Sequence, residues 1–289
     1  MNIERLRERA RIVRAIRRFF DERGFVEVET AVRIPAPAPE EHIDCPPVVG
    51  GGYLRASPEL QMKKLLAAGM DKIYQIGPCF REGERGSRHN PEFTMLEWYR
   101  TNATYLDIAE DLKSLVQGLM SSREDLRLET DGGTAGIETL SVREAYRRFA
   151  GWDPWTDWDQ DRFDFDMATK IEPAVKALGG GVFLTDYPPQ AASLAKLRGD
   201  VAERWEFYWD GMELANCFTE LCDKDEQAAR FAAAKEARKL LKESDYPIDC
   251  EFIECLEQIH SAAGIAVGID RLVMILTKAK EISAVRANI

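Results

Sequence analysis

Three observations predict an α+β fold for this sequence. Its cationic N-terminus repeats apolar residues at helical spacing, several short runs alternate at strand spacing, and an Asp-Gly pair joins two such runs as a hairpin. With 289 residues, 45% of them hydrophobic, the chain is long enough to bury one large core. No internal repeat or low-complexity linker divides it, so a single domain over residues 1–289 is expected.

Along the chain, residues 2–23 place Ile3, Leu6, Ile12, Val13, Ile16, Phe19 and Phe20 at helical spacing, with Gly24 as the stop. FVEVET (25–30) reads as a strand. Residues 34–52 hold five prolines and the run Gly50-Gly51-Gly52, an ordered loop. YLRAS (53–57) reads as a strand, and Pro58 opens a helix to about Ala68, with Ser57 as N-cap and Glu59 in its first turn. KIYQIG (72–77) is a further strand. Residues 104–120 look helical, 121–140 form a polar surface excursion, and 142–150 and 164–178 are helical again. GVFLTDYP (181–188) is a buried strand. WEFYW (205–209) and MELANCFTEL (212–221) flank Asp210-Gly211, whose residue types suit the positive φ angles of a two-residue hairpin turn. Residues 223–243 make a charged helix, 249–260 a shorter one, and 264–276 a small-residue strand leading into an apolar helix.

Composition narrows the function classes. A net charge of −11 and a pI near 5.0 argue against an extended nucleic-acid surface. The basic cluster in residues 4–18 spreads around one amphipathic helix and reads as a solvated face. No run of eighteen apolar residues offers a membrane span, and the N-terminus lacks an apolar signal core, so a cytoplasmic protein is expected. Cys217 and Cys222, like Cys250 and Cys255, are separated by four residues, which invites a zinc reading. Periodicity does not bring the pairs together and no histidine stands at ligand spacing. With Cys45 and Cys79, they read as reduced, mostly buried thiols.

The carboxylates are harder to explain as surface. Regular hairpin pairing sets Tyr208 opposite Glu213 and Glu206 opposite Ala215. Glu206 and Glu213 become diagonal neighbours on one face, roughly 7–8 Å apart. Either that face is solvated, or a cation such as Mg²⁺ lies between them, which accepts one or two carboxylates and completes its shell with water and phosphate. In FTMLEWYR (93–100), Phe93, Met95, Glu97 and Tyr99 share one strand face while Thr94, Leu96 and Trp98 share the other. Both faces are largely apolar, so the strand is central and Glu97 is buried, in need of a partner such as Tyr99 or a ligand cation. Arg81 closes the preceding strand, beside a loop rich in Arg, Glu and Gly. It is suited to a bidentate grip on phosphate or carboxylate, or belongs to a solvated hairpin tip. GIAVGIDRL (264–272) puts Gly264 and Gly268 where a strand meets a helix and Arg271 in the first turn, without the pattern of either common phosphate loop.

Together these segments resemble a class II aminoacyl-tRNA synthetase core of the lysyl type. The N-terminal helix with FVEVET resembles motif 1, FREGERGSRHNPEFTMLEWYR (80–100) motif 2, and GIAVGIDRLVM (264–274) motif 3. SPEL (57–60) and ELANCFTEL (213–221) resemble the lysine-pocket segments. The resemblance implies an antiparallel sheet packed with helices, a homodimer formed through motif 1, and no N-terminal OB-fold for an anticodon, since the chain begins at the motif 1 helix. In length, in LEWYR, in ELAN and in Ala266 where lysyl enzymes usually carry glycine, it is similar to the stand-alone elongation factor P lysine ligase family.

That resemblance implies ATP and Mg²⁺ as cofactors, lysine or β-lysine as substrate, and a lysine of elongation factor P as acceptor, with tRNA charging not expected. Arg81 and Arg271 would be catalytic. ATP would be met by Arg81, His89, Asn90, Phe93, Glu213, Leu214, Gly268 and Arg271. Gly83 stands where motif 2 normally carries an adenine-reading glutamate, leaving Glu82 or Glu84 to replace it. Ser57, Pro58 and Glu59 would hold the amino-acid head, Ala266 would shape the α-amino end of the pocket, and Glu97, Tyr99, Asn216 and Glu220 would receive the amino groups. Glu206 and Glu213 would bind Mg²⁺. Strict alternation puts Glu213 on the opposite face from Asn216, Phe218 and Glu220, so a bulge is expected near Leu214–Ala215 if all serve one site. A minimal tRNA-dependent enzyme and a catalytically silent amino-acid-binding paralogue are the alternatives. The silent class usually loses the motif arginines or metal carboxylates, and Arg81, Arg271, Glu206 and Glu213 are all present.

Overall fold

The computed structural model describes residues 2–122, 136–241 and 244–287. Most of the polar excursion expected over 121–140 lies outside them. Helix α1 (Ile3–Asp21) starts where the Asn2 side chain accepts the Arg5 amide, and Gly24 follows it at φ 73°. FVEVET forms a much shorter strand than expected, β1 (Val26–Glu27). Beyond it the Thr30 amide and hydroxyl both donate to the Gln75 side chain, at 3.0 and 2.9 Å, so the backbone leaves the ladder. YLRAS contributes only β3 (Tyr53–Leu54), which pairs with β2 (Arg33–Ile34) in a separate two-stranded sheet. Helix α2 (Glu59–Ala67) has Pro58, not Ser57, at its N-cap, although Ser57 Oγ accepts the Glu59 amide at 2.9 Å.

Among the described residues the main sheet has nine strands. After β1 these are β4 (Lys72–Phe80), β5 (Glu92–Thr101), β6 (Glu138–Ser141), β7 (Gly181–Tyr187), β8 (Leu197–Arg198), β9 (Val201–Trp209), β10 (Met212–Thr219) and β11 (Ala262–Gly268). Their order is β1-β4-β5-β11-β10-β9-β7-β6, with β8 on β9. The core is antiparallel as expected, but each end adds one parallel pair, β1 with β4 and β6 with β7. Strand β5 is central, with Leu96 and Trp98 packed under α1, α3 (Tyr105–Ser121) and the Ile269–Leu276 helix. Tyr99 points to the other face, among α2 and the Cys250–Cys255 helix.

The hairpin turns as its sequence demands, with Asp210 at φ 48° and Gly211 at φ 72°. The expected bulge is present: pairing shifts between Glu213 and Ala215, so Glu206 faces Asn216 and not Ala215. One extra residue turns Asn216 and Phe218 onto the face that carries Glu213. The basic cluster on α1 is only partly a solvated face. Arg9 reaches inward to Asp270 (2.5 Å) and Thr94 (2.8 Å), and Arg286 joins the same buried carboxylate at 2.9 Å. Asp270 also accepts the Thr94 amide, which locks β5 to the start of the last long helix. Cys45, Cys79 and Cys217 are buried, Cys222 and Cys255 half-buried, and Cys250 exposed.

Candidate active site

The concave face of the sheet holds a cavity of about 440 Å³. Its deep end is acidic. Glu97 is 1% exposed; Ser57 donates to its Oε1 at 2.6 Å and Tyr99 to its Oε2 at 2.8 Å. Ala266, on β11, stands in register with Glu97 on one side and Asn216 on the other. Gly264 lies beneath the Tyr99 ring; a Cβ there would stand 2.7 Å from Glu220 Oε1 and overlap the ring itself. Lys63, buried on α2, pairs with Glu59 at 2.5 Å and with Glu220.

Burial drives the Glu97 carboxyl up to about 7; the charge of Glu59 pushes the same way, against the hydrogen bonds from Ser57 and Tyr99. Burial likewise drives Glu220 up to about 8, with Lys63 opposing and Glu59 reinforcing the shift. For Lys63 itself burial favours the neutral amine, but Glu220 and Glu59 outweigh it and hold the ammonium charged.

A stability prediction follows. Glu97 and Glu220 hold protons more tightly folded than unfolded. Their stabilising contribution is therefore complete below the ordinary value of 4.5 and is lost as pH rises through about 7 to 8. The melting midpoint is expected to fall between about pH 5 and about pH 8.5, and a short alkyl diamine to protect more at the upper pH. Calorimetry with and without diamine checks this; greater protection at the lower pH is the contrary result.

The outer end is built for an anion. Arg81 follows β4, its guanidinium 5.2 Å from the Phe93 ring centroid and 3.5 Å from Glu84, and its buried Nε has no hydrogen-bond partner. Arg271, in the first turn of the Ile269–Leu276 helix, donates to the Glu213 carbonyl at 2.8 Å and lies 2.7 Å from His89 Nε2. Burial and Arg271 both depress the His89 pKa, so its neutral ring accepts that bond. Glu206 and Glu213 share this wall. Arg204 (2.6 Å) and Tyr208 (2.8 Å) donate to Glu206, while burial and the charge of Glu206 raise Glu213. An orphaned guanidinium donor, an aromatic ring lining the cavity and two carboxylates on one wall suit a nucleoside triphosphate with its divalent ion. Among the described residues no three metal-ligating side chains cluster, so such an ion would draw its remaining ligands from phosphate and water.

The cavity brings together most of the expected site: Ser57, Glu59, Arg81, Glu84, His89, Asn90, Phe93, Tyr99, Glu206, Glu213, Leu214, Asn216, Glu220, Ala266, Gly268 and Arg271 all line it. Pro58, Glu82, Gly83 and Glu97 do not; Glu97 lies directly behind Ser57 and Tyr99. Gly83 adopts φ 78°, a left-handed conformation that glutamate rarely takes, and the acidic side chain that reaches the cavity is Glu84. Glu82 instead ties its amide to the Asp44 carbonyl at 2.7 Å. Sequence reasoning missed Lys63, Arg204 and Glu40. Lys63 stands one helical turn after Glu59, a spacing that signals an ion pair, but its second partner, Glu220, is remote in sequence.

The model of the class II tRNA synthetases (D, K and N) matches residues 2–287. Relatives named elongation factor P–(R)-beta-lysine ligase include that of Proteus mirabilis, 35% identical over 99% of this chain and 95% of that protein. The proteins of that name from Yersinia enterocolitica and Sodalis glossinidius are each 36% identical over 99% of this chain and 94% of theirs. No helix among the described residues is long and apolar enough to cross a membrane. The chain belongs to the class II tRNA synthetase (D, K and N) family of ATP-dependent ligases, alongside the relatives named elongation factor P–(R)-beta-lysine ligase.

Proposed function

We propose that the chain activates lysine, in its (R)-β form, as an adenylate and transfers it to a lysine ε-amine of elongation factor P. The observation that carries this reading is one cavity joining a buried acidic pocket to a pair of arginines and a pair of glutamates. Arg81 holds the ATP α-phosphate beside the substrate carboxylate and neutralises charge as that carboxylate attacks phosphorus. Pyrophosphate leaves and an aminoacyl-adenylate remains. The acceptor amine then attacks the carbonyl carbon, an amide forms, AMP departs with the C–O bonding electrons, and the amine's surplus proton passes to solvent. Positioning and electrostatics supply the catalysis, with no protein nucleophile.

Glu206 and Glu213 would hold Mg²⁺, which would offset phosphate charge. Phe93 and Arg271 bracket the adenine, with His89, Asn90 and Glu84 beside the nucleotide. Ser57 and Glu59 hold the amino-acid head; Glu97, Tyr99, Asn216 and Glu220 receive the amines. Ala266 supports the β-lysine preference, its methyl occupying the floor between Glu97 and Asn216; such a methyl is worth about 1–3 kcal/mol of discrimination. The same reading makes the chain a single-domain, cytoplasmic homodimer, for which exposed Ile3 and Val26 near motif 1 offer apolar surface. The test is the intact mass of elongation factor P after incubation with enzyme, ATP, Mg²⁺ and each lysine isomer. Addition of one β-lysyl group is expected; an unchanged mass with both isomers, or equal charging of tRNA, refutes the proposal. Glu206→Gln is expected to raise the Mg²⁺ concentration needed for half-maximal pyrophosphate exchange, and an unaltered Mg²⁺ profile removes Glu206 from the ion's shell.

A further inference from the structure

Glu40 belongs to none of the motifs. It sits on the proline-rich loop between β2 and β3, after Pro35, Pro37 and Pro39. The loop is fastened from behind by Arg238, itself 1% exposed, which donates to the Glu40 carbonyl (2.6 Å), the Ile43 carbonyl (3.1 Å) and Asp44 Oδ1 (2.5 Å). The Arg238 guanidinium also lies 4.4 Å from the Tyr246 ring centroid, and Tyr246 donates to the same Asp44 oxygen at 3.1 Å. A loop held this firmly presents its side chain in one place.

That place is the head of the amino-acid pocket. Glu40 lines the main cavity, and it also lines a recess of about 20 Å³ shared with Ser57 and Glu59. The charged groups facing it are Glu59, Arg81, Arg204 and Lys63. Burial and the charge of Glu59 raise its carboxyl. Among the described residues nothing donates a hydrogen bond to that carboxylate or forms a salt bridge with it. Glu59, by contrast, already has a cationic partner: Lys63 bridges it to Glu220. The pocket thus supplies one cation shared by Glu59 and Glu220 and leaves Glu40 without an ion-pair partner, near the arginine that would hold the substrate carboxylate. Glu40 is half-buried in the wall of this cavity, and an ammonium group delivered by a ligand would offset the partial desolvation of its unpaired carboxylate.

We propose that Glu40 is a specificity-determining residue of the amino-acid pocket, its carboxylate receiving the substrate amino group nearest the carboxyl that is activated. This rests on the lysine-activating function proposed above. It assigns the two amines to different anchors: the head amine to Glu40, the tail amine to the Glu97–Tyr99–Glu220 group. Because Arg238 fixes the loop before any ligand arrives, little ordering cost falls on binding.

Substrates lacking one amine test the assignment. Lysine-dependent and β-lysine-dependent pyrophosphate exchange would be measured for the unaltered protein and for Glu40→Gln. Norleucine, without the tail amine, and 6-aminohexanoate, without the head amine, would serve as alternative substrates or competitive inhibitors. Glu40→Gln is expected to weaken both lysine isomers and norleucine by on the order of 10–100-fold, and 6-aminohexanoate by less than about 3-fold. Retained 6-aminohexanoate recognition doubles as the control for folding, and Glu40→Asp is expected to recover part of the loss. An equal loss for all ligands, or none, overturns the role of Glu40 alone. An unaltered protein inert with both lysine isomers overturns the lysine reading and this inference with it.

Discussion

Arg81→Ala is expected to slow adenylate formation by on the order of 10²–10⁴-fold while changing the melting midpoint little. The stability half follows from what Arg81 touches. Among the described residues its ion pair is with Glu84, at 3.5 Å; both side chains are roughly one-third exposed, and such a pair contributes at most about 1 kcal/mol. The rate half follows from what it leaves free: a buried Nε with no partner, on a side chain that lines the same cavity as the acidic pocket and Arg271. That donor geometry matches two oxygens side by side, and its charge is needed as the substrate carboxylate and the phosphate approach each other. Arg81→Lys retains the charge and loses the fork, so an intermediate loss of roughly 10–100-fold is expected. Pyrophosphate exchange gives the rates and calorimetry the midpoint. A rate within a few-fold of the unaltered protein for Arg81→Ala is incompatible with the proposed chemistry.

Gly264→Ala carries the second large effect, on stability and recognition together. The added methyl would overlap the Tyr99 ring and stand 2.7 Å from Glu220 Oε1. Tyr99 cannot yield easily, because it is 3% exposed, packs among α2 and the Cys250–Cys255 helix, and donates to Glu97. Overpacking of this kind costs about 1–3 kcal/mol. If the ring moves, Glu97 loses the Tyr99 bond and the tail-amine anchor opens, so lysine-dependent exchange is expected to fall at least ~10-fold, mainly through KM. A variant of unchanged midpoint and unchanged KM would show that the floor beneath Tyr99 is softer than its packing implies. Stability and KM report separately, so a purely structural defect is distinguishable from a recognition defect.

Much of this site was legible as local pattern. Alternation in FTMLEWYR marked β5 as a central strand with Glu97 buried, and the structure has it so. Asp210-Gly211 specified the hairpin because a two-residue turn admits few residue types at positive φ. Once the family resemblance assigned Glu213 and Asn216 to one site, strict alternation required a bulge, and the pairing shifts between Glu213 and Ala215. What failed did so where local signals met long-range partners. FVEVET has strand propensity throughout, yet only Val26–Glu27 forms a strand, because Gln75 on β4 captures the Thr30 backbone. Arg9 looked like one more solvated arginine on α1 until Asp270, 261 residues away, turned it inward.

By itself the sequence determined the local geometry: which residues carry charge, which strands bury both faces and where the chain turns. These depend on the periodicity of strand and helix and on the φ preferences of a few residues, which act over short spans. The tertiary structure decided which charges are already spent. Lys63 is shared between Glu59 and Glu220 and offsets one of their two charges, Arg204 and Tyr208 hold Glu206, and Arg238 clamps the loop that leaves Glu40 unpaired in the pocket. Charge pairing between remote segments has no period along the chain, and burial, which sets its strength, is fixed only once the sheet and helices have closed around it.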